Sequence, residues 1–309
     1  MTGGIRAMIA DGWRTVAAAI IGLALALSLA GCSNGPGEVG AEGPPANPLF
    51  YEIASADGTV EGWMLGTIHA LPDGTRWRTT EIGRVIDAAD FLVVEISEPR
   101  GPDERTSIYL GLAQSPDQPE IGSRLPAHLR PMLAGMMKRG DLDDRDFLQL
   151  ETWAAAITLA RGDATGNPAN GVDRALMADF ADRPVRELEG MRGQLAIFDR
   201  LPELDQRAML AAVVSESERT RRDPARLQRA WLAGDAVIIE TATHEGFLAV
   251  PALREALLTG RNQRWAEAIV PMLAERPRPL IAVGAAHLVG PDGLAALLEA
   301  QGYRIRRLP

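Results

Sequence analysis

The 309-residue sequence holds one cysteine, four histidines and only 5% aromatic residues. With Cys32 alone, no internal disulfide can form. So few Tyr, Phe and Trp leave no evident platform for stacking sugars. The net charge of −9, with no clustered Lys/Arg stripe, excludes a nucleic-acid-binding face. Arg306 and Arg307 read as solvated surface. No His-Glu-x-x-His helix is present, so the zincin signature is absent. The longest apolar run, AAAIIGLALALSLAG (17–31), falls short of the roughly 20 residues a comfortable membrane span needs. No short repeat of the solenoid kind occurs.

What is present is an ordinary globular composition, 46% hydrophobic and 24% charged, enough for a sizeable core. Residues 1–31 read as a signal peptide: Arg6 and Arg14 precede the apolar run, and Asp11 in this region suggests Met8 as an alternative start to Met1. The run ends in Leu29-Ala30-Gly31-Cys32, which resembles a lipobox, so the odd cysteine is read as the lipidated residue. Residues 32–47, rich in Gly and Pro, form a flexible tether. Ser33 after the cysteine favours the outer membrane. The expectation is an exported lipoprotein, its domain (48–309) facing the periplasm and held to the membrane by an acyl anchor on Cys32.

The folded part is expected to be α/β. LFYEIAS and TVEGWMLG flank Asp57-Gly58, a hairpin signal. A helix from Thr80, with Ile82, Val85, Ile86 and Ala89 on one face, leads to FLVVEIS (91–97), a run typical of a strand buried on both faces. Strand, helix and strand imply a parallel crossover. Helices are expected at 104–113, 125–139, 144–161, 171–182, 202–221, 224–234 and 251–260, with a short strand at 184–188. A further helix runs from Arg261 to about Glu275, with a kink at Pro271. The strand PLIAVG (279–284), a helix opened by Pro291 and closed at Gly302, and the strand YRIRRL follow. The fold class is thus a mixed, partly parallel sheet from two duplicated strand–Gly-x-x-His–helix halves, with a large helical insertion between them.

Those halves carry the chemistry. WMLGTIHALPDG and LIAVGAAHLVGPDG place His69 and His287 three residues past a strand-ending glycine, which lets the backbone turn and approach a ligand. Glu95 lies near the end of FLVVEIS. Ligands of open α/β sheets bind at the carboxyl ends of strands. Two imidazoles and a carboxylate form a plausible divalent-metal set, and a metal-bound water would serve hydrolysis. The same residues also fit plainer roles: polar caps for the histidines, a strand end or an arginine partner for Glu95. His128 and His244 lack this context and read as surface.

GWMLGTIHALPDG, VVEIS, NGVDRALMADFADRPVRELEGMRGQL and LLTGRNQRWAEAIVPML with IAVGAAHLVGPDGLAALLEAQGYRIRRL together resemble the TraB/GumN family, in order across 48–309. That family is similar to the Tiki metal-dependent proteases. The resemblance implies a metal (Mn, Co or Zn) on His69, Glu95 and His287, with Glu95 alternatively a general base. It also implies that Arg261 and Asn262 hold a substrate carboxylate or oxyanion. Glu189 either completes the shell or pairs with Arg192, and Asp173 reads as a cap or buried acceptor. The expected function is a hydrolase acting on a peptide or other small substrate. The alternative is a non-catalytic protein binding haem, a peptide or a glycan in the same cleft.

Overall fold

The computed structural model describes residues 45–97, 101–164, 166–275 and 277–309. The signal-like segment, Cys32 and nearly all of the tether lie outside the described residues. Six strands form one mixed sheet: β1 (Phe50–Ala54), β2 (Val60–Thr67), β3 (Phe91–Val94), β4 (Val185–Glu187), β5 (Pro279–Gly284) and β6 (Arg304–Arg307), in the order β4-β3-β5-β2-β1-β6. The β1–β2 and β1–β6 pairs are antiparallel, and the remaining neighbours are parallel. β3 and β5 are wholly buried, as their unbroken apolar runs require, and β2 is buried from Gly62 onward. The expected crossover from β2 to β3 therefore skips one position: β5, the next-to-last strand in the chain, lies between them.

Helix α1 (Thr80–Ala88) connects β2 to β3, and the Thr79 hydroxyl accepts from the Ile82 N–H at 3.1 Å to start it. The rest of the helical part is α2 (Pro102–Ala113), α3 (Arg130–Arg139), α4 (Thr152–Arg161), α5 (Val172–Asp179), α6 (Gly190–Asp199), α7 (Glu203–Arg222), α8 (Arg226–Ala233) and α9 (Ala236–Ala242). After it come α10 (Pro251–Arg254), α11 (Gly260–Ala274) and α12 (Leu294–Ala300).

Four helix expectations change, the first being that α12 opens at Leu294 behind Gly293, with Pro291 in the turn before it. The segment 144–161 is broken before Thr152 because the buried Arg124 guanidinium draws the carbonyls of Phe147 and Leu150 to itself, at 2.8 and 2.9 Å. α6 and α9 are additional; Gly190 and Gly193 disguise the first, and the second has only seven residues. The helices expected at 251–260 and from 261 are one run, joined by a π-helical turn at Glu255–Thr259 in which the Gly260 N–H donates to the Glu255 carbonyl.

Two apolar clusters result. One surrounds the sheet, and the other lies within the helical part. The turn after β5 touches both, with Ala285 and Leu288 in the first and Ala286 in the second. Among the described residues no helix is long and apolar enough to cross a membrane.

Candidate functional site

The register aligns Thr67 with Gly284 and Val94 with Ala282, so β2, β5 and β3 end together. His69 follows β2, Glu95 follows β3, and His287 lies in the 3₁₀ turn Ala285–Leu288 after β5. All three are buried, at 8%, 2% and 4% exposure. Gly66 serves packing more than ligand approach: a β-carbon there would lie 3.0 Å from Ala285, the start of the second motif's turn.

The first histidine is held from behind. Asp173, the second residue of α5, brings Oδ2 to 2.6 Å from His69 Nδ1, and the Thr67 hydroxyl donates to Asp173 Oδ1 at 2.7 Å. Among the described residues His69 Nε2 is buried with no hydrogen-bond partner. Burial disfavours the imidazolium, but the Asp173 carboxylate outweighs it, and the pKa of His69 is raised above 6.5. Asp173 balances in the mirror sense. Burial pushes its carboxyl up, and His69 and Thr67 bring the net value below 3.8.

α5 reaches this position through Gly171. The Val172 N–H donates to the Ile68 carbonyl at 2.9 Å, and a β-carbon on Gly171 would lie 2.6 Å from the His69 carbonyl oxygen. Gly171→Ala is therefore expected to push α5 off β2 and cost roughly 1–3 kcal/mol. Denaturant unfolding measures this, and an unchanged midpoint would mean that α5 tolerates the shift.

The second histidine is fully engaged. The Asn262 Nδ2–H donates to the Asp292 carbonyl at 2.7 Å, which turns Asn262 Oδ1 toward His287 Nδ1 at 2.5 Å. His287 is thereby the Nδ1–H tautomer, and its Nε2 accepts from Arg261 Nη1 at 3.2 Å. Burial, then the charges of Arg261 and His69, hold its pKa well below 6.5, so it is neutral. The Trp265 ring lies against it, centroids 4.4 Å apart.

Arg261 is the hub. Nε donates to Glu189 Oε1 at 3.0 Å, and Nη2 donates to Glu95 Oε2 at 2.8 Å and Glu189 Oε2 at 2.9 Å. Nη1 donates to the Leu257 carbonyl at 3.1 Å as well as to His287. Glu95 is further held by the Gly284 N–H at 2.8 Å and by Gln194 of α6 at 3.1 Å. Burial opposes the charge of Arg261, but Glu95 and Glu189 overcome it and raise its pKa.

This geometry corrects several expectations. Glu189 pairs with Arg261 rather than Arg192. All five N–H donors of Arg261 are used, so it has none left for a substrate carboxylate or oxyanion. Asn262 orients His287. The expected metal donors are unequal: Glu95 and His287 are both taken by Arg261, and only His69 Nε2 is open. Among the described residues no group of three or more His, Cys, Asp or Glu side chains is placed to hold a metal ion. As arranged, these residues do not fit a resident divalent metal.

His128 and His244 are exposed, as expected. From sequence, Asp173 reads only as a cap or buried acceptor, and Gln194 is not reached. The Thr67-x-His69 pair and the Gly171-Val172-Asp173 helix start are the signals for the first; nothing local marks the second.

The sequence model of the TraB/PrgY/gumN family matches residues 49–307, which includes both Gly-x-x-His motifs and every residue of this cluster. The chain belongs to the TraB/PrgY/gumN family. No curated protein and no solved structure matches it. For this TraB/PrgY/gumN chain the match spans the sheet and the helical part together, from the residue before β1 to the last residue of β6.

Proposed function

We propose that this chain is a hydrolase, with peptide bonds as its substrate class, and that His69 is its acid–base group. One observation carries the reading. His69 Nε2 is the one imidazole nitrogen of the cluster left without a partner, while Nδ1 lies 2.6 Å from the half-buried Asp173 carboxylate. That is the arrangement of an oriented general base. His69 takes a proton from water, and the resulting hydroxide attacks the peptide carbonyl carbon. The imidazolium then returns the proton to the amine nitrogen as the C–N bond breaks. Arg261, Glu95 and His287 form the fixed wall against which this happens. The peptide assignment rests on the similarity of the motifs to those of the Tiki proteases. A metal on His69, Glu95 and His287, as that similarity implies, would have to displace Arg261 from Glu95 and His287.

Digestion of a peptide library by the purified full-length chain tests this, with and without Mn²⁺, Co²⁺ or Zn²⁺ and beside His69→Ala. Cleavage lost in the variant supports the reading. No cleavage in any arm, with tight binding of haem or a glycan, would overturn it in favour of a non-catalytic binding protein.

The chain is further proposed to be a lipoprotein anchored through Cys32 and facing the periplasm. The apolar run ending in Leu-Ala-Gly-Cys supports this. Cys32→Ser is expected to abolish labelling by radioactive palmitate and to release the protein from the membrane fraction. Wild-type protein that takes up no label rules the anchor out.

A further inference from the structure

The turn that carries His69 is gripped along its backbone by helices outside the sheet. The Gly66 carbonyl accepts from the Trp231 indole N–H at 2.8 Å, the Ile68 carbonyl from the Val172 N–H at 2.9 Å, and the Ala70 carbonyl from Gln228 Nε2 at 3.1 Å. These are alternate residues of one short stretch, and His69 lies between two of them. Two of the three donors belong to α8, where Gln228 and Trp231 stand three positions apart and so share a face. Gln228 is only 5% exposed. A buried amide without a partner is costly, and a carbonyl is what its N–H can satisfy. Gly166 closes on the same contact. With φ at +81°, a β-carbon there would lie 2.8 Å from Gln228 Nε2 and 3.2 Å from the Ala70 carbonyl carbon.

We infer that Gln228 is a positioning residue for His69: by holding the Ala70 carbonyl, it fixes where the imidazole stands against Asp173. The two members of that pair come from separate segments, the ring from the turn after β2 and the carboxylate from α5. Their contact depends on alignment, because hydrogen bonds weaken steeply as the angle closes. α8 is a firm base for this. Leu227 packs in the helical cluster, and Ala230 and Trp231 pack in the sheet cluster, so the helix is anchored on both sides of Gln228. Beyond Ala70, the Leu71 carbonyl accepts from the Asn167 N–H at 2.9 Å and from Asn170 Nδ2 at 3.1 Å. Loss of the Gln228 amide therefore leaves the turn attached at Ile68 and Leu71 but free to slide between them. For turnover the inference rests on His69 as the acid–base group; for the place of the ring it does not.

The test is the ¹H–¹⁵N spectrum of the histidine rings in the purified full-length chain, beside peptide-cleavage kinetics. Four histidines keep that spectrum simple, and His69→Gln identifies its signal by absence. Gln228→Met keeps the length of the side chain and removes the donor. It is expected to shift the His69 ring signals, leave those of His287 in place, and lower kcat by about 10–100-fold with KM almost unchanged. Gly166→Ala, which pushes the amide away from the other side, should shift the same signals. Leu227→Ala is the control, since it removes packing from α8 but leaves Gln228 its amide. It should lower the denaturant midpoint and move neither readout.

Unmoved His69 signals in a folded Gln228→Met would overturn the inference. So would a loss of kcat in Leu227→Ala as large as in Gln228→Met, because α8 would then act through stability alone. Should Gln228→Met fail to fold, Gln228→Asn carries the test, its amide falling one methylene short of the Ala70 carbonyl. A chain that cleaves no peptide in any arm defeats the hydrolase reading, and the ring spectra alone then decide the positioning.

Discussion

His69→Gln is expected to lower kcat/KM for peptide cleavage by about 10²–10⁴-fold while leaving the circular dichroism spectrum unchanged. Gln fills much of the same volume but cannot take up a proton. The pH profile adds a sharper criterion. A general base works unprotonated, so activity should rise with pH through the pKa of His69, which Asp173 raises above 6.5. Asp173→Asn removes the charge that favours the imidazolium and leaves burial, which opposes it. The rising limb should then move to lower pH, and kcat should fall because the ring loses its orienting partner. A purely structural Asp173 would change stability and leave the limb in place, and that outcome would end the acid–base assignment.

Arg261→Met is expected to destabilise the fold by about 3–5 kcal/mol, the usual result of breaking a buried ion pair by removing one partner. Glu95 and Glu189 would keep their desolvated carboxylates without the cation that each accepts from. The denaturant midpoint of the metal-free protein measures the loss. Adding Glu95→Gln to Arg261→Met should recover part of it, because one of the stranded charges goes with it. A loss below about 1 kcal/mol, the range of exposed pairs, would mean that water reaches the cluster and that the hub is not energetically buried.

Much of this molecule is legible in its sequence. Unbroken apolar runs mark β3 and β5 because both faces of a central parallel strand are covered, and the Asp57-Gly58 turn marks β1 and β2. The matched Gly-x-x-His contexts place His69 and His287 at strand ends, and Glu95 follows from the same rule. The order of the strands is not legible. Placing β5 between β2 and β3 depends on pairings between distant segments, which no local pattern records.

The division of labour inside the site was hidden for a related reason. Whether a histidine nitrogen is open or engaged depends on the far end of the next residue along the network. Asn262 fixes His287 only because the Asp292 carbonyl fixes Asn262. Glu189 turns to Arg261 and away from Arg192, three residues on, because a buried guanidinium is the stronger partner for a carboxylate near the strand ends. Arg124 breaks a helix from outside it, which helical periodicity cannot register.

The position of β5 also has a kinetic consequence. The strand that joins β3 to β2 is among the last parts of the chain to be synthesised, and both of its pairings span long stretches of sequence. Before β5 arrives, β1 and β2 can close as a hairpin, and β3 and β4 can pair, but the two pieces share no strand-to-strand contact. Non-local pairings of this kind slow folding, because loop-closure entropy is lost before the contacts form. The Glu95–Arg261–His287 cluster lies at the ends of these same strands, so it forms last as well. An incomplete or still-unfolding chain would have neither a joined sheet nor an assembled Arg261 hub, and both would appear only with the final closure.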